Sequence, residues 1–239
     1  MADELSTEEH HRRALDRIVF LSDGVFAISM TLLVLDLRLP PLTELSSAAL
    51  RDALTSNISH FISFIISFEV ISFFWLAHLR MFSLISRYTR GLALLNLLFL
   101  MSIAVMPFST TLVGEYGSLT LAAVFYSLSL VFTSITANLM WLHAARHRRL
   151  LEAHASREDI AVVTARGVVT LALFVLATGL AMISVGLASA AWISIPFATR
   201  IAERVARRRA ARPLSKHARR GGPSDSAKAT SDKSGPPHE

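Results

Sequence analysis

Three titratable side chains lie in segments that otherwise suit hydrocarbon: Asp23, Glu69 and His78. A charge in a membrane interior is costly unless it meets water or a partner, and groups of this kind exchange protons. One chemistry open to them is proton-coupled secondary transport. The other is structural, in which the three bond neighbouring helices and Glu69 pairs with His78 nine residues along. Metal binding does not fit, because His60, Glu69 and His78 lack the tight i, i+4 spacing of a helical site. The chain has no cysteine, which removes disulfides, thiolate nucleophiles and Cys-ligated metals. Ser22 has no His and acid partner at useful spacing, and neither Gly-x-Ser-x-Gly nor His-Glu-x-x-His occurs, so no enzyme and no cofactor are expected. TLVGEYG, residues 111–117, has the look of a carbonyl-lined potassium filter, but Glu115 interrupts it and a turn between helices is the better reading.

The elements that carry these residues are membrane helices. With 52% hydrophobic and 18% charged residues over 239 positions, and a mean hydropathy of +0.47, the chain reads as all-α and integral to a membrane. Six segments approach the roughly 20 apolar residues that a bilayer of about 30 Å requires: 18–37, 58–79, 92–113, 119–142, 161–187 and 188–202. The sixth is the shortest, so Arg200 is expected to snorkel and the helix to run on through RIAERVARRRAARP. The N-terminal stretch lacks a short apolar core followed by a cleavage site, so the first apolar segment is expected to stay in the mature protein.

Of the 24 Lys and Arg residues, 22 fall in the N-terminal stretch, the second and fourth connections and the segment from Arg200 onward; only Arg38 and Arg51 fall elsewhere. Six spans with both termini in the cytoplasm of a cell-membrane, multi-pass protein account for this bias. The domain reading is a cytoplasmic tail at 1–16, a six-helix membrane domain at 17–212 and a disordered basic tail at 213–239. That tail reads as an anchor beside anionic lipid, not as a nucleic-acid surface.

The first span, RIVFLSDGVFAISMTLLVLDL (17–37), carries the most pattern. Arg17 and Asp36 are nineteen residues apart, about 28 Å at 1.5 Å per residue, and so mark opposite faces of the membrane. Ile28, Leu32 and Leu35 follow the i, i+4, i+7 pattern and form an apolar stripe, with Leu21 one heptad before Ile28. Thr31 lies at one margin; Ser22, Ser29 and Asp36 follow a seven-residue spacing along the other. On pattern alone, ordinary helix packing explains the apolar stripe, and helix-to-helix hydrogen bonding explains Arg17, Ser22 and Asp23.

The string R-x-x-x-L-S-D-G-V-F-A-I-x-x-T-L-L-V-L-D-L resembles the first helix of the bacterial relatives of transmembrane protein 175, an endosomal and lysosomal potassium channel family whose signature is R-x-x-x-F-S-D. Arg17, Ser22 and Asp23 match, and Leu21 stands where the family has Phe. The resemblance continues in W-L-A-H (Trp75 to His78), L-N-L-L-F-L (Leu95 to Leu100, with Asn96) and Pro107–Phe108. It implies a homotetramer of six-helix subunits, with four first helices around a central pore and no re-entrant filter loop. Carried over by position, Ile28, Leu32 and Leu35 would be apolar constrictions. Thr31, with Ser29, would be a hydroxyl layer aiding potassium selectivity, the only place where K+ would pause. Arg17, Ser22, Asp23, Trp75, His78 and Asn96 would form the polar network that fixes the pore helix. The implied partners are three further copies, the bilayer and K+. Aliphatic rings give an ion no ligands and gate by dewetting. Asp36 at the outer mouth would concentrate cations there, with Arg38 opposing part of that field.

Overall fold

The computed structural model describes residues 2–42 and 44–210, so the basic tail read as disordered lies outside the described residues. Seven α-helices form among them: α1 (Ala2–Leu32), α2 (Ser47–Ser56), α3 (Ile58–Phe82), α4 (Arg90–Glu115), α5 (Thr120–Arg146), α6 (Arg157–Ala181) and α7 (Val185–Ala210). A 3-10 turn, Leu33–Asp36, continues α1, and another covers Arg148–Leu150. Five helices are long and apolar enough to cross a membrane; the two limbs of α7, Val185–Ile195 and Phe197–Arg208, together make a sixth candidate bent by 43°. The bend falls at Pro196, which has no backbone N–H to give to the preceding turn.

Local chemistry sets the helix starts. Ser46 accepts from Ala49 N and Thr89 from Leu92 N, and Ser156 forms a capping box with Asp159. The stretch before Arg17, expected as a cytoplasmic tail, is helical from Ala2 and runs into the first span without a break. The connection between the first two spans contains α2. One boundary differs from that expected. The turn between α6 and α7 falls at Met182–Ser184, where the N–H groups of Ile183 and Ser184 both return to Leu180 O. Met182 and Ile183 are themselves apolar, so hydropathy runs straight through a turn that only hydrogen bonding marks.

The arginine-bearing connections meet at one end of the bundle. Ser86 N donates to Leu150 O (2.8 Å) and Glu152 N to Leu84 O (2.9 Å), joining the α3–α4 and α5–α6 connections. At the same end Arg166 pairs with Glu203 at 2.6 Å, Arg80 approaches Glu203 at 3.7 Å, and Arg207 pairs with Glu158 at 3.1 Å. These pairs tie α3, α6 and α7 together.

Mid-bundle, aromatic rings run from α1 to α6. Phe26 lies 5.9 Å from both His78 and Phe99, Phe99 lies 6.2 Å from Phe74, and Phe74 stacks on Phe174 at 5.8 Å. Such pairs contribute about 0.5–1.5 kcal/mol each beyond simple burial. Lipid tails are as apolar as these side chains, so close packing and hydrogen bonds hold the helices together. The α5–α6 contact shows how close. Asn138 Nδ2 donates to Ser134 O (2.7 Å) and Gly167 O (3.1 Å), and a Cβ on Gly167 would collide with the Asn138 amide. Gly167→Ala should therefore displace Asn138 and lower stability by about 1–3 kcal/mol; thermal unfolding in detergent reads this, and an unchanged midpoint would show that the contact yields freely.

Candidate functional site

Helix α1 packs on α3 and α4 with one face only. Leu15, Ser22, Phe26, Ser29 and Leu33 recur at steps of three, four or seven and are all buried. The opposite face is uncovered: Arg17, Leu21, Gly24, Ile28, Thr31 and Leu35 climb it at steps of three or four, and Leu32 adjoins it. Ile28 is 60% exposed and Leu35 56%, high values for aliphatic side chains within the apolar part of a candidate membrane span. The Thr31 hydroxyl donates to Ile28 O at 2.9 Å, so its proton is engaged with its own helix while the side chain stays exposed. The 3-10 turn brings Leu35 beneath Leu32, since residues three apart eclipse in that geometry. Gly24 belongs to the same stripe and was not singled out from sequence; a Cβ there would meet nothing within 4 Å. Its signal was the plain i+3 step from Leu21.

The buried face is held by polar bonds. Asn96 Nδ2 donates to Ser22 Oγ (3.1 Å), and Ser22 Oγ donates to Ile18 O (2.7 Å). His78 Nε2 lies 3.0 Å from Asn96 Oδ1, with its ring stacked between Phe82 and Phe99. One turn away the Trp75 indole N–H donates to Asp23 Oδ1 at 2.9 Å. Residues from α1, α3 and α4 are thus joined, with Ser22, His78 and Asn96 essentially inaccessible. Arg17, grouped with them in sequence, instead lies exposed and has no hydrogen bond or ion pair among the described residues.

Other sequence candidates lie elsewhere. Ser29, paired with Thr31 as a hydroxyl layer, is buried against the subunit's own helices, because two residues along a helix turn a side chain about 200°. Asp36, read as a mouth charge, accepts from Thr111 Oγ1 at 2.5 Å and is thereby tied to α4. Glu69 is exposed at the middle of α3 and does not meet His78; Asp23, Glu69 and His78 share no bond among the described residues. Thr111 to Glu115 of TLVGEYG form the last turn of α4, and the rest makes the turn into α5.

These features define a multi-pass α-helical membrane protein whose first helix is fixed on one side by a polar network and left open on the other. A family model described as the endosomal/lysosomal potassium channel TMEM175 matches residues 17–107, which hold the second half of α1, all of α2 and α3, and most of α4. The chain is 34% identical over 187 residues to a protein named Potassium channel Cha6605_3372 from Chamaesiphon minutus, covering 75% of this chain and 87% of that one. It is 32% identical over 179 residues to Potassium channel B446_29190 from Streptomyces collinus, covering 73% and 86%. The crystal structure of a lysosomal potassium-selective channel TMEM175 homolog from Chamaesiphon minutus superposes with a TM-score of 0.70 at 29% identity, over 80% of this chain and 98% of that one. The chain belongs to the TMEM175 family, a family of channels and not of enzymes.

Asn96 is the shared member of the buried trio, so Asn96→Ala should leave Ser22 and His78 without their partner and cost about 1–2 kcal/mol. A lower unfolding midpoint in detergent checks this, with the double variant Asn96→Ala, Ser22→Ala expected to lose less than the sum of the single changes.

Proposed function

We propose that the chain is a potassium-permeable channel, a passive pore built as a homotetramer with the uncovered stripe of α1 from each copy facing the central axis. The observation that carries this reading is the stripe itself. Leu21, Gly24, Ile28, Thr31 and Leu35 form a line about 21 Å long at 1.5 Å per residue, and among the described residues nothing covers it. Membership of a channel family, with relatives named potassium channels, supports the same reading.

Four copies of Ile28, Leu32 and Leu35 at an axis form aliphatic rings that offer no oxygen to replace an ion's hydration shell. When close, they exclude water and block conduction; when apart, they pass hydrated or partly hydrated cations. Thr31 contributes hydroxyl oxygens between these levels and is the layer at which K+ is favoured over Na+. Ser29, facing α3 and α4, acts through helix placement instead of ion contact. Asp36 sets the end of the pore helix through Thr111. The network of Ser22, Asp23, Trp75, His78 and Asn96 holds each α1 at a fixed rotation so that the rings stay in register. The arginine-bearing connections and both termini lie on the cytoplasmic side of the cell membrane, following the distribution of charge. The membrane unit begins at Arg17, with residues 2–16 of α1 as its cytoplasmic extension. Proton-coupled transport through Asp23, Glu69 and His78 is not favoured, because two of the three are engaged with other partners and the third is remote.

Purified protein in liposomes under opposed K+ and Na+ gradients should give a reversal potential displaced toward the K+ equilibrium value; absence of current at every voltage would reject the channel reading. Leu35→Ala should raise cation leak several-fold, and an unchanged flux would remove Leu35 from the gate. Ile28→Cys, introduced into a cysteine-free chain, should give disulfide-linked dimers under mild oxidation; monomers only would mean that the stripe faces lipid.

A further inference from the structure

A second row of polar groups lies on a different face of α3. Ser59, Ser63 and Ser67 recur every fourth residue and so share one side of the helix. They border a cavity of about 220 Å3 between α3, the end of α4, α5 and α7, whose other walls include Tyr126, Ser189 and Trp192. The Tyr126 hydroxyl lies 3.0 Å from Ser67 Oγ, and the Trp192 ring meets the Tyr126 ring edge-on with centroids 4.7 Å apart. Trp192 is only 3% exposed, and its indole N–H is buried without an acceptor among the described residues. Buried donors without a protein partner are rare and mark ordered water where the surroundings are polar and roomy. The space is roomy, and although aliphatic side chains such as Ile62, Ile66 and Val185 make up most of its surface, the serine hydroxyls and the Trp192 N–H give water its polar partners.

Ile66 and Trp192 stand between this cavity and a second, narrower space, since both line each of the two, and the single charged side chain of the second is Glu69. Glu69 stands at the middle of α3 with no hydrogen bond or ion pair among the described residues. A carboxyl at that depth needs water or a partner. Tyr126 is the other titratable group lining either space, and His60 packs against Gly114 at the same end of the bundle.

We propose that each protomer contains a water-filled crevice with a row of serine hydroxyls along one wall, separate from the exposed stripe of α1, through which water and protons reach Glu69 from the end of the bundle opposite the arginine-bearing connections. It is a site for a chain of water molecules, not for K+. An indole N–H on its wall repels a cation, while waters can accept from Trp192 and donate to the serine and tyrosine oxygens. The crevice gives a mid-membrane carboxyl in every subunit contact with one bathing solution, independent of the state of the central rings.

The absence of cysteine makes this directly testable. Single variants Ser63→Cys, Ser189→Cys and Glu69→Cys of the full chain, reconstituted in vesicles, are treated with a membrane-impermeant cationic methanethiosulfonate. Leu176→Cys, on the exposed surface of α6 at a matching depth, is the hydrocarbon control, and Arg87→Cys marks the arginine-bearing end. Ser63→Cys and Ser189→Cys are expected to react at least tenfold faster than Leu176→Cys, from the side opposite that which labels Arg87→Cys, with Glu69→Cys reacting more slowly from that same side. Reaction at 63 and 189 no faster than at 176, or only from the Arg87 side, would overturn the proposal, as would a wholly inert Glu69→Cys. The readout does not depend on K+ current, so a chain that labels as expected but conducts nothing would retain the crevice and lose the channel reading.

Discussion

The rotation of α1 about its own axis is the constraint on which the rest depends. A membrane helix gains little from choosing one face over another when every neighbour is apolar, because lipid tails and leucine side chains offer similar contacts. Polar groups break that indifference. Ser22 is held by Asn96, which also meets His78, and Asp23 is held by Trp75. Turning α1 by even a quarter-turn would strand four or five of these groups in hydrocarbon. The apolar residues on the same face, Phe26 and Leu33, then pack at almost zero exposure, and Ile28, Thr31 and Leu35 are obliged to face away.

The remaining helices keep that anchor stationary. Ring stacking carries contact from Phe26 through Phe99 and Phe74 to Phe174, so the pore-helix candidate is braced against α6 although the two are far apart in sequence. At the arginine-bearing end, crossed backbone bonds between two connections and the Arg166–Glu203 pair lock the helix ends. At the opposite end, Thr111 holds Asp36 and Asn57 Nδ2 donates to Arg38 O, so the 3-10 continuation of α1 is tethered as well. Both ends and the middle of one face are fixed, while the other face is free to meet further copies of itself.

How much was legible before the structure depends on how local each signal is. Trp75, His78 and Asn96 could be grouped with Ser22 and Asp23 only through family resemblance, since their contacts span 18 to 74 residues of sequence and no periodicity connects them. The membership of Ile28, Leu32 and Leu35 in one stripe was readable from spacing; the stripe's exposure was not. Ser29 shows the limit. Its hydroxyl makes it look like a companion of Thr31, yet helical pitch turns it to the buried side. Asp36 shows another, because its tie to Thr111 bridges 75 positions and gives the carboxylate an anchoring partner that no local pattern announces.

Composition, hydropathy and charge bias were enough, on their own, to determine an all-helical membrane chain with about six spans and a basic end, because burial in hydrocarbon and the placement of arginine act on each segment independently. The amphipathic order of α1 was equally local. Tertiary structure alone decided which side of that helix is covered, where the α6–α7 turn falls within an unbroken apolar run, and that serines on α3 face Tyr126 and Trp192 across a cavity. Each of these depends on hydrogen bonds and contacts between helices distant in sequence, and no property of a single segment encodes which partner it will meet.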